Sequence, residues 1–399
     1  MASCVDPLHR LVSHIRRCCT AFVNGEVVGS KRSGRYWLAM LTPDSKYWDY
    51  PVLNPVVVED CKQLGIYINK QILRFYGTEQ LHAFLKSVER PLAGLIEGGS
   101  EVRKETLVGS AFDASVYTSP PVKQLSTLFR PLQKASLAGL SLYLHGSMSD
   151  QSYNSFSDVD DLVVLRSEAW QDFDTFAEIG TRLTRIARVY QDVDPLQHHG
   201  HWLVTEFDLL SYDPSYIPPV ALRDAKRVVG QDLLEFCVHN NPRGFSDNTS
   251  ATIRSIQRSL KQASEQKGLN AFQLKGLVGE IAIMPAYLCQ LHGQMIPKPA
   301  AIRKAERMYS PLGYRAVEWA TMVRHKFDRC IDNLQMFALK KLARFCGQRR
   351  QHTERLFKKF ATWVSNDHEL GLNAEVRESI KAFAQESQSL NSREVRACQ

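Results

Sequence analysis

Two aspartates, Asp158 and Asp160, stand two apart at the head of the apolar run Val159–Leu165. A β-branched, apolar run of this length reads as a buried strand, and strand side chains alternate between faces, so both carboxylates project from the same side. Two carboxylates converging at a strand end are costly unless they are protonated or share a cation. Hard oxygen donors in this arrangement suit Mg²⁺, with Mn²⁺ as a possible substitute, because Mg²⁺ takes one or two carboxylates and completes its shell with water and phosphate oxygens. Upstream, Leu142-Tyr143-Leu144 leads through His145 into Gly146-Ser147, and the ten residues Met148–Ser157 are rich in Ser, Asp, Asn and Gln. That composition is a loop. The small Gly146-Ser147 turn lets backbone N–H groups approach a phosphate closely. The chemistry these types and spacings suit is metal-assisted phosphoryl or nucleotidyl transfer. The plainer alternative is a pair of capping or solvated aspartates before a strand.

An apolar strand, Gly-Ser, about ten residues, then Asp-x-Asp and a second apolar strand resembles the signature of the DNA-polymerase-β-like nucleotidyltransferase superfamily, over roughly Pro121 to Leu234. The resemblance implies a third carboxylate on a later strand, and Asp208 in Trp202-Leu-Val-Thr-Glu-Phe-Asp-Leu-Leu210 matches, with Glu206 as the alternative. Arg227-Val-Val-Gly-Gln-Asp-Leu-Leu234 is similar to an element that often follows the core in that family. By the same resemblance Asp158 and Asp160 bridge two Mg²⁺ ions holding a nucleoside triphosphate. Asp208 completes the second metal site and activates the acceptor hydroxyl, while Gly146 and Ser147 grip the β- and γ-phosphates. Lys275, in a later apolar helix, is placed to reach the triphosphate, or else to snorkel to the surface. Asp161 departs from the pattern, since the family's residue there is usually apolar, and it points away from Asp160. His145 suits a structural hydrogen bond and a substrate contact equally.

The elements that must hold these groups read as an α+β chain in three parts. Residues 1–120 form an accessory α+β region, 121–235 a small mixed-sheet catalytic core, and 236–399 a helical domain that is basic around 321–360. In the first part, Ala21–Leu41 reads as a hairpin turning at Asn24-Gly25, Gln71–Val88 has helical spacing, and Trp37, Trp48 and Tyr50 read as loop packing. In the second, helices are expected over Pro121–Ala138 and Asp172–Val189. His198, His199 and His201 fall just before the Asp208 strand; solvated loop histidines are the simplest reading, ahead of a substrate contact or a transition-metal site. After Ser250 the spacing is helical throughout: Thr252–Lys267, Ala271–Leu291 with a kink at Pro285, Ile302–Met308, Val323–Phe345 and Gln351–Val364.

The chain of 399 residues is 44% hydrophobic and 23% charged, enough for a sizeable core. From Thr321 to Phe360 there are eleven Lys/Arg against three Asp/Glu, a surplus that equals the net charge of +8. Lys340, Lys341, Arg344, Arg349, Arg350, Lys358 and Lys359 make RNA a candidate partner, against the alternative of solvated helix faces. Nine cysteines without a Cys-x-x-Cys spacing argue against zinc or a disulfide framework. The N-terminus lacks the apolar run of a signal peptide. The longest apolar stretch, Leu277–Leu291, carries Glu280 and Pro285 and reads as too short to span a membrane. A soluble, cytoplasmic nucleotidyltransferase is the expectation, acting on RNA such as tRNA, a nucleotide, a protein or a small molecule. Its rivals are a glycosyltransferase that holds a sugar nucleotide through Asp-x-Asp and an inactive nucleotide- or RNA-binding relative.

Overall fold

The computed structural model describes residues 6–25, 52–69, 72, 77–97, 102–116, 120–327 (apart from 136, 155, 195, 198, 240–241 and 267), 363–364 and 371–397. The chain is mixed α and β, with a mixed sheet in its first two thirds and a run of helices after it. Five strands make the main sheet: β2 (Ser110–Ala111), β3 (Leu140–His145), β4 (Asp160–Leu165), β5 (Trp202–Thr205) and β6 (Lys226–Val229). Their spatial order is β2-β6-β3-β4-β5. β3 runs antiparallel to β4 and β6, whereas β4 and β5 are parallel. The register pairs His145 with Asp160 and Leu162 with Trp202, so the end of β3 and the starts of β4 and β5 share one edge. A separate antiparallel ribbon joins β1 (Val102–Val108) to β7 (Leu233–His239).

Both faces of the sheet are covered, which is why β3 and β4 read as continuous apolar runs rather than alternating ones. Leu142, Leu144, Val163 and Leu165 pack into one core with the helices α1 (Pro7–Val23), α2 (Pro55–Gln63), α3 (Thr78–Glu97), α4 (Pro120–Ala135) and α5 (Phe173–Val193). Tyr143, Leu162, Val164 and Val204 face the other way, onto Leu107, Tyr212 and Phe236.

Residues 1–120 are therefore not a separate accessory module. Leu11, Ile15, Phe84 and Leu85 sit in the same core as the sheet, and β1 and β2 pair with β7 and β6 from the far side of the segment that carries β3 to β5. The sheet needs α1 and α3 to cover its face. The hairpin expected at Ala21–Leu41 begins instead with the last turn of α1, where Ala21, Phe22 and Val23 are buried and the expected turn residue Asn24 caps the helix; residues 26–51, with Trp37, Trp48 and Tyr50, lie outside the described residues. α3 replaces the helix expected at Gln71–Val88, starting and ending later and carrying Pro91 inside it.

The helices after β7 build a second core: α7 (Pro242–Glu265), α8 (Ala271–Leu291), α9 (Lys298–Met308), α10 (Pro311–Lys326) and α11 (Ala374–Ala397). α8 is apolar all round because it runs through the middle of this bundle. It is long and apolar enough to cross a membrane by length and composition, but 67% of its apolar window is buried inside the protein. Two residues from the sheet half, Phe156 and Leu196, belong to this second core. The basic residues Lys340 to Lys359, on which the RNA expectation rests, lie outside the described residues.

Candidate active site

The site is built where the two cores meet, on the edge formed by His145, Asp160 and Trp202. Gly146 turns the chain at the end of β3 with φ +69°, a conformation that costs glycine little. A Cβ there would lie 2.8 Å from Asp160 Oδ2, so any larger residue would also push on that carboxylate. Ser147 follows in a single 3-10 turn and is half-buried. Val159, between the two aspartates, is held from both sides by one amide: its N–H donates to Gln197 Oε1 and its carbonyl accepts from Gln197 Nε2, each at 2.9 Å. Gln197 thus fixes the backbone from which both carboxylates project.

Both aspartates face His199, whose Nε2 lies 3.0 Å from Asp160 Oδ1 and 3.6 Å from Asp158 Oδ2. One imidazole reaching both confirms that the carboxylates share a side. Burial alone would push His199 down, but the hydrogen bond and charge of Asp160 outweigh it and raise the imidazole to about 9. Burial likewise opposes ionisation of Asp160, and His199 overcomes it and holds the carboxyl below its usual value. His145 stays low through burial. The loop carrying His199 is clamped by Asn24 at the end of α1, whose amide accepts from His201 N at 2.8 Å and donates to His201 O at 3.2 Å.

Lys275, on α8, reaches across from the helical half. It is 3% exposed, and its ammonium contacts both Asp158 Oδ1 and Asp194 Oδ2. It is part of the site and does not snorkel. Burial works against its charge, but Asp158 and Asp194 hold it above the ordinary lysine value. Asp194, buried and within hydrogen-bond reach of Asp158, is pushed up to about 7 by burial, against the pull of Lys275. Two further cations face the aspartates without an ion-pair partner among the described residues: Lys298 at the start of α9 and Arg324 in the last turn of α10. Burial, helped by Arg324, pushes Lys298 down to about 8. Burial also lowers Arg324, while Asp158 pulls the other way. Phe156 lies beneath Arg324 and Lys275, its ring centroid 5.2 Å from the Arg324 guanidinium carbon and 5.5 Å from Lys275 Nζ.

Asp208 is not part of this constellation. β5 ends at Thr205, and Asp208 falls in the short helix α6 (Glu206–Leu210) that follows. The parallel register sets Thr205 beside Leu165, five strand steps or roughly 16 Å from Asp160. Asp208 is buried there, bonded to Thr205 N at 2.7 Å and paired with Arg16 at 2.8 Å. Glu206 accepts from Ser167 N at the same far end. The expected strand stops because a carboxylate three residues after Thr205 reaches back to its N–H and starts a helix. Neither Glu206 nor Asp208 can join Asp158 and Asp160, and the carboxylate that does is Asp194. The histidines expected to be solvated are not: His199 lies inside the site and His201 beneath it, whereas His198 lies outside the described residues.

Among the described residues no group of three or more His, Cys, Asp or Glu side chains is arranged to hold a metal ion. The donors nevertheless fit Mg²⁺ in kind. Asp158 and Asp160 offer oxygens on one side of a fixed backbone, and an ion held by two carboxylates takes its remaining ligands from water and substrate phosphate. Comparison of the chain with protein-family models, with curated proteins and with solved structures found no match.

Proposed function

We propose that this chain is a Mg²⁺-dependent nucleotidyltransferase, which moves a nucleotidyl group from a nucleoside triphosphate to a hydroxyl acceptor and releases pyrophosphate. One observation carries the reading: Lys298, close enough to feel both Asp158 and Asp160, and Arg324, over the Phe156 ring and beside Asp158, are partly desolvated and have no ion-pair partner among the described residues. Partly buried cations left unpaired are costly, and a polyphosphate would satisfy them while its metal satisfies the aspartates. The Gly-Ser turn and Asp-x-Asp spacing that resemble the polymerase-β-like superfamily stand at the same edge. A sugar-nucleotide transferase has no need of that turn.

In this reading Asp158 and Asp160 would hold the divalent ion, whose chemistry there would be to neutralise phosphate charge. Lys298 and Arg324 bind the β- and γ-phosphates, and the Gly146-Ser147 turn packs against Asp160. The acceptor oxygen attacks the α-phosphorus, the bond to the bridging oxygen of the β-phosphate breaks, and pyrophosphate leaves with that electron pair. The hydroxyl proton needs an acceptor, and Asp194, the third carboxylate at this edge, is held above the ordinary aspartate range by burial, as a general base needs. The role first given to Asp208 passes to it. A second reading, a relative that binds nucleotide without turning it over, is favoured by the removal of Asp208 from the edge.

Incubating the protein with each NTP radiolabelled at the α-phosphate, Mg²⁺ and total cellular RNA decides between the two. Label on RNA, protein or a small product, absent from an Asp158→Asn/Asp160→Asn control, is the expected result. Nucleotide binding without transfer to any acceptor supports the second reading, and no binding of any NTP overturns both.

A further inference from the structure

We propose that Lys275 is a built-in counter-ion through which the aspartate pair takes up a divalent cation only together with a phosphate-bearing ligand. The inference rests on the nucleotidyltransferase reading and adds to it an order of assembly.

Lys275 is the basic residue of a helix that is otherwise almost wholly apolar. An ammonium is tolerated at such a depth only when paired, and its partners are Asp158, one of the two metal-holding carboxylates, and Asp194. His199 compensates Asp160 in the same way. A divalent cation arriving alone must therefore displace the ammonium from Asp158. The displaced ammonium stays within reach of Asp194, but it also stays beside the new positive charge. Lys298 and Arg324 already stand at the same edge, so with Lys275 three basic side chains face the aspartate pair before any metal arrives. A metal by itself adds to that positive charge.

A phosphate reverses the balance. Its charge answers Lys298 and Arg324, and it gives the displaced Lys275 a new anion without requiring the lysine to leave its buried position. Metal and nucleotide then bind with positive coupling, and by linkage each raises the affinity for the other equally. Lys275 is a positioning residue in this scheme, since it acts through Asp158. A purely structural role, pinning the two halves together, predicts no change in metal affinity on its removal beyond what any loosening would cause, which is a loss. The counter-ion role predicts a gain.

The test uses the full chain with Mn²⁺ as the probe, its binding read from the paramagnetic resonance signal of free Mn²⁺ in the absence of nucleotide. Binding of a fluorescent ATP analogue, measured in parallel with Mn²⁺ present, reports on the underlying reading. A single neighbouring charge moves the proton affinity of a carboxylate by roughly ten- to thousandfold, so Lys275→Met should tighten Mn²⁺ binding by at least about tenfold over wild type. Asp158→Asn should abolish it. If Lys275→Met does not fold, Lys275→Met/Asp194→Asn removes the leftover buried carboxylate and serves in its place, with unchanged circular dichroism as the criterion of folding. Unchanged or weaker Mn²⁺ binding in the folded variant, with the ATP analogue still bound by wild type, overturns the counter-ion role and leaves the nucleotidyltransferase reading standing. Failure of wild type to bind the analogue removes both.

Discussion

His201 has an acceptor at each ring nitrogen, Asp161 Oδ2 2.6 Å from Nδ1 and Leu183 O 2.8 Å from Nε2, and only an imidazolium can donate to both. Tyr190 OH donates to the same Asp161 oxygen at 2.5 Å. Burial opposes the charge on His201 and so does nearby His199, but Asp161 prevails and holds the imidazole above its ordinary 6.5. A group whose folded value lies above its unfolded one stabilises the fold fully below pH 6.5, and the contribution is lost as pH rises through the folded value. Urea midpoints for wild type and His201→Asn should therefore differ most near pH 6 and converge at alkaline pH. A gap independent of pH counts against the imidazolium. Asp161 and Asp160 lie on opposite faces of β4, which alternation alone makes legible in the sequence. The partners of Asp161 were not legible, since they come from the residue just before the parallel strand β5 and from α5, through a register that no local pattern encodes.

The strand-to-helix switch at Thr205 is the element that the sequence misled on. Trp202-Leu-Val-Thr has strand composition and Asp208 falls at the spacing the family resemblance implies, yet Thr205-Glu-Phe-Asp208 is also a capping sequence, and the cap wins. A Thr followed three residues later by a carboxylate was the signal available, though it could not have named Arg16, from α1, as the partner. Arg16 also lies over Tyr216, 4.1 Å from its ring centroid, tying α1 to the segment after α6. Arg16→Met should destabilise the protein by about 3–5 kcal/mol, because it leaves the buried Asp208 carboxylate uncompensated. Adding Asp208→Asn should recover part of that loss. Affinity for the fluorescent ATP analogue should stay at the wild-type value wherever the fold survives. A loss of nucleotide binding in folded Arg16→Met would return Asp208 to the site. The β3–turn–β4 unit, by contrast, was readable from residues 142 to 165 alone, because its strands are buried on both faces and its turn depends on one glycine.

At the scale of the molecule the helical half was visible in the sequence as a run of amphipathic spacing, but its joint with the sheet half was not. That joint consists of Phe156 and Leu196 set into the second core, together with Lys275 reaching back to Asp158 and Asp194. A fragment ending at residue 239 should accordingly fail as an independent unit. It exposes Phe156 and Leu196 and leaves Asp158 and Asp194 without their ammonium. Sedimentation and amide NMR of that fragment should report aggregation or a broadened spectrum, and a monomeric, well-dispersed spectrum would refute the joint. The loop from Met148 to Ser157 looks like a tether by composition, yet one phenyl ring in it is a rivet. Exchange of either half between chains by recombination would have to carry the ring and its socket together, so the two halves can be inherited only as a matched pair.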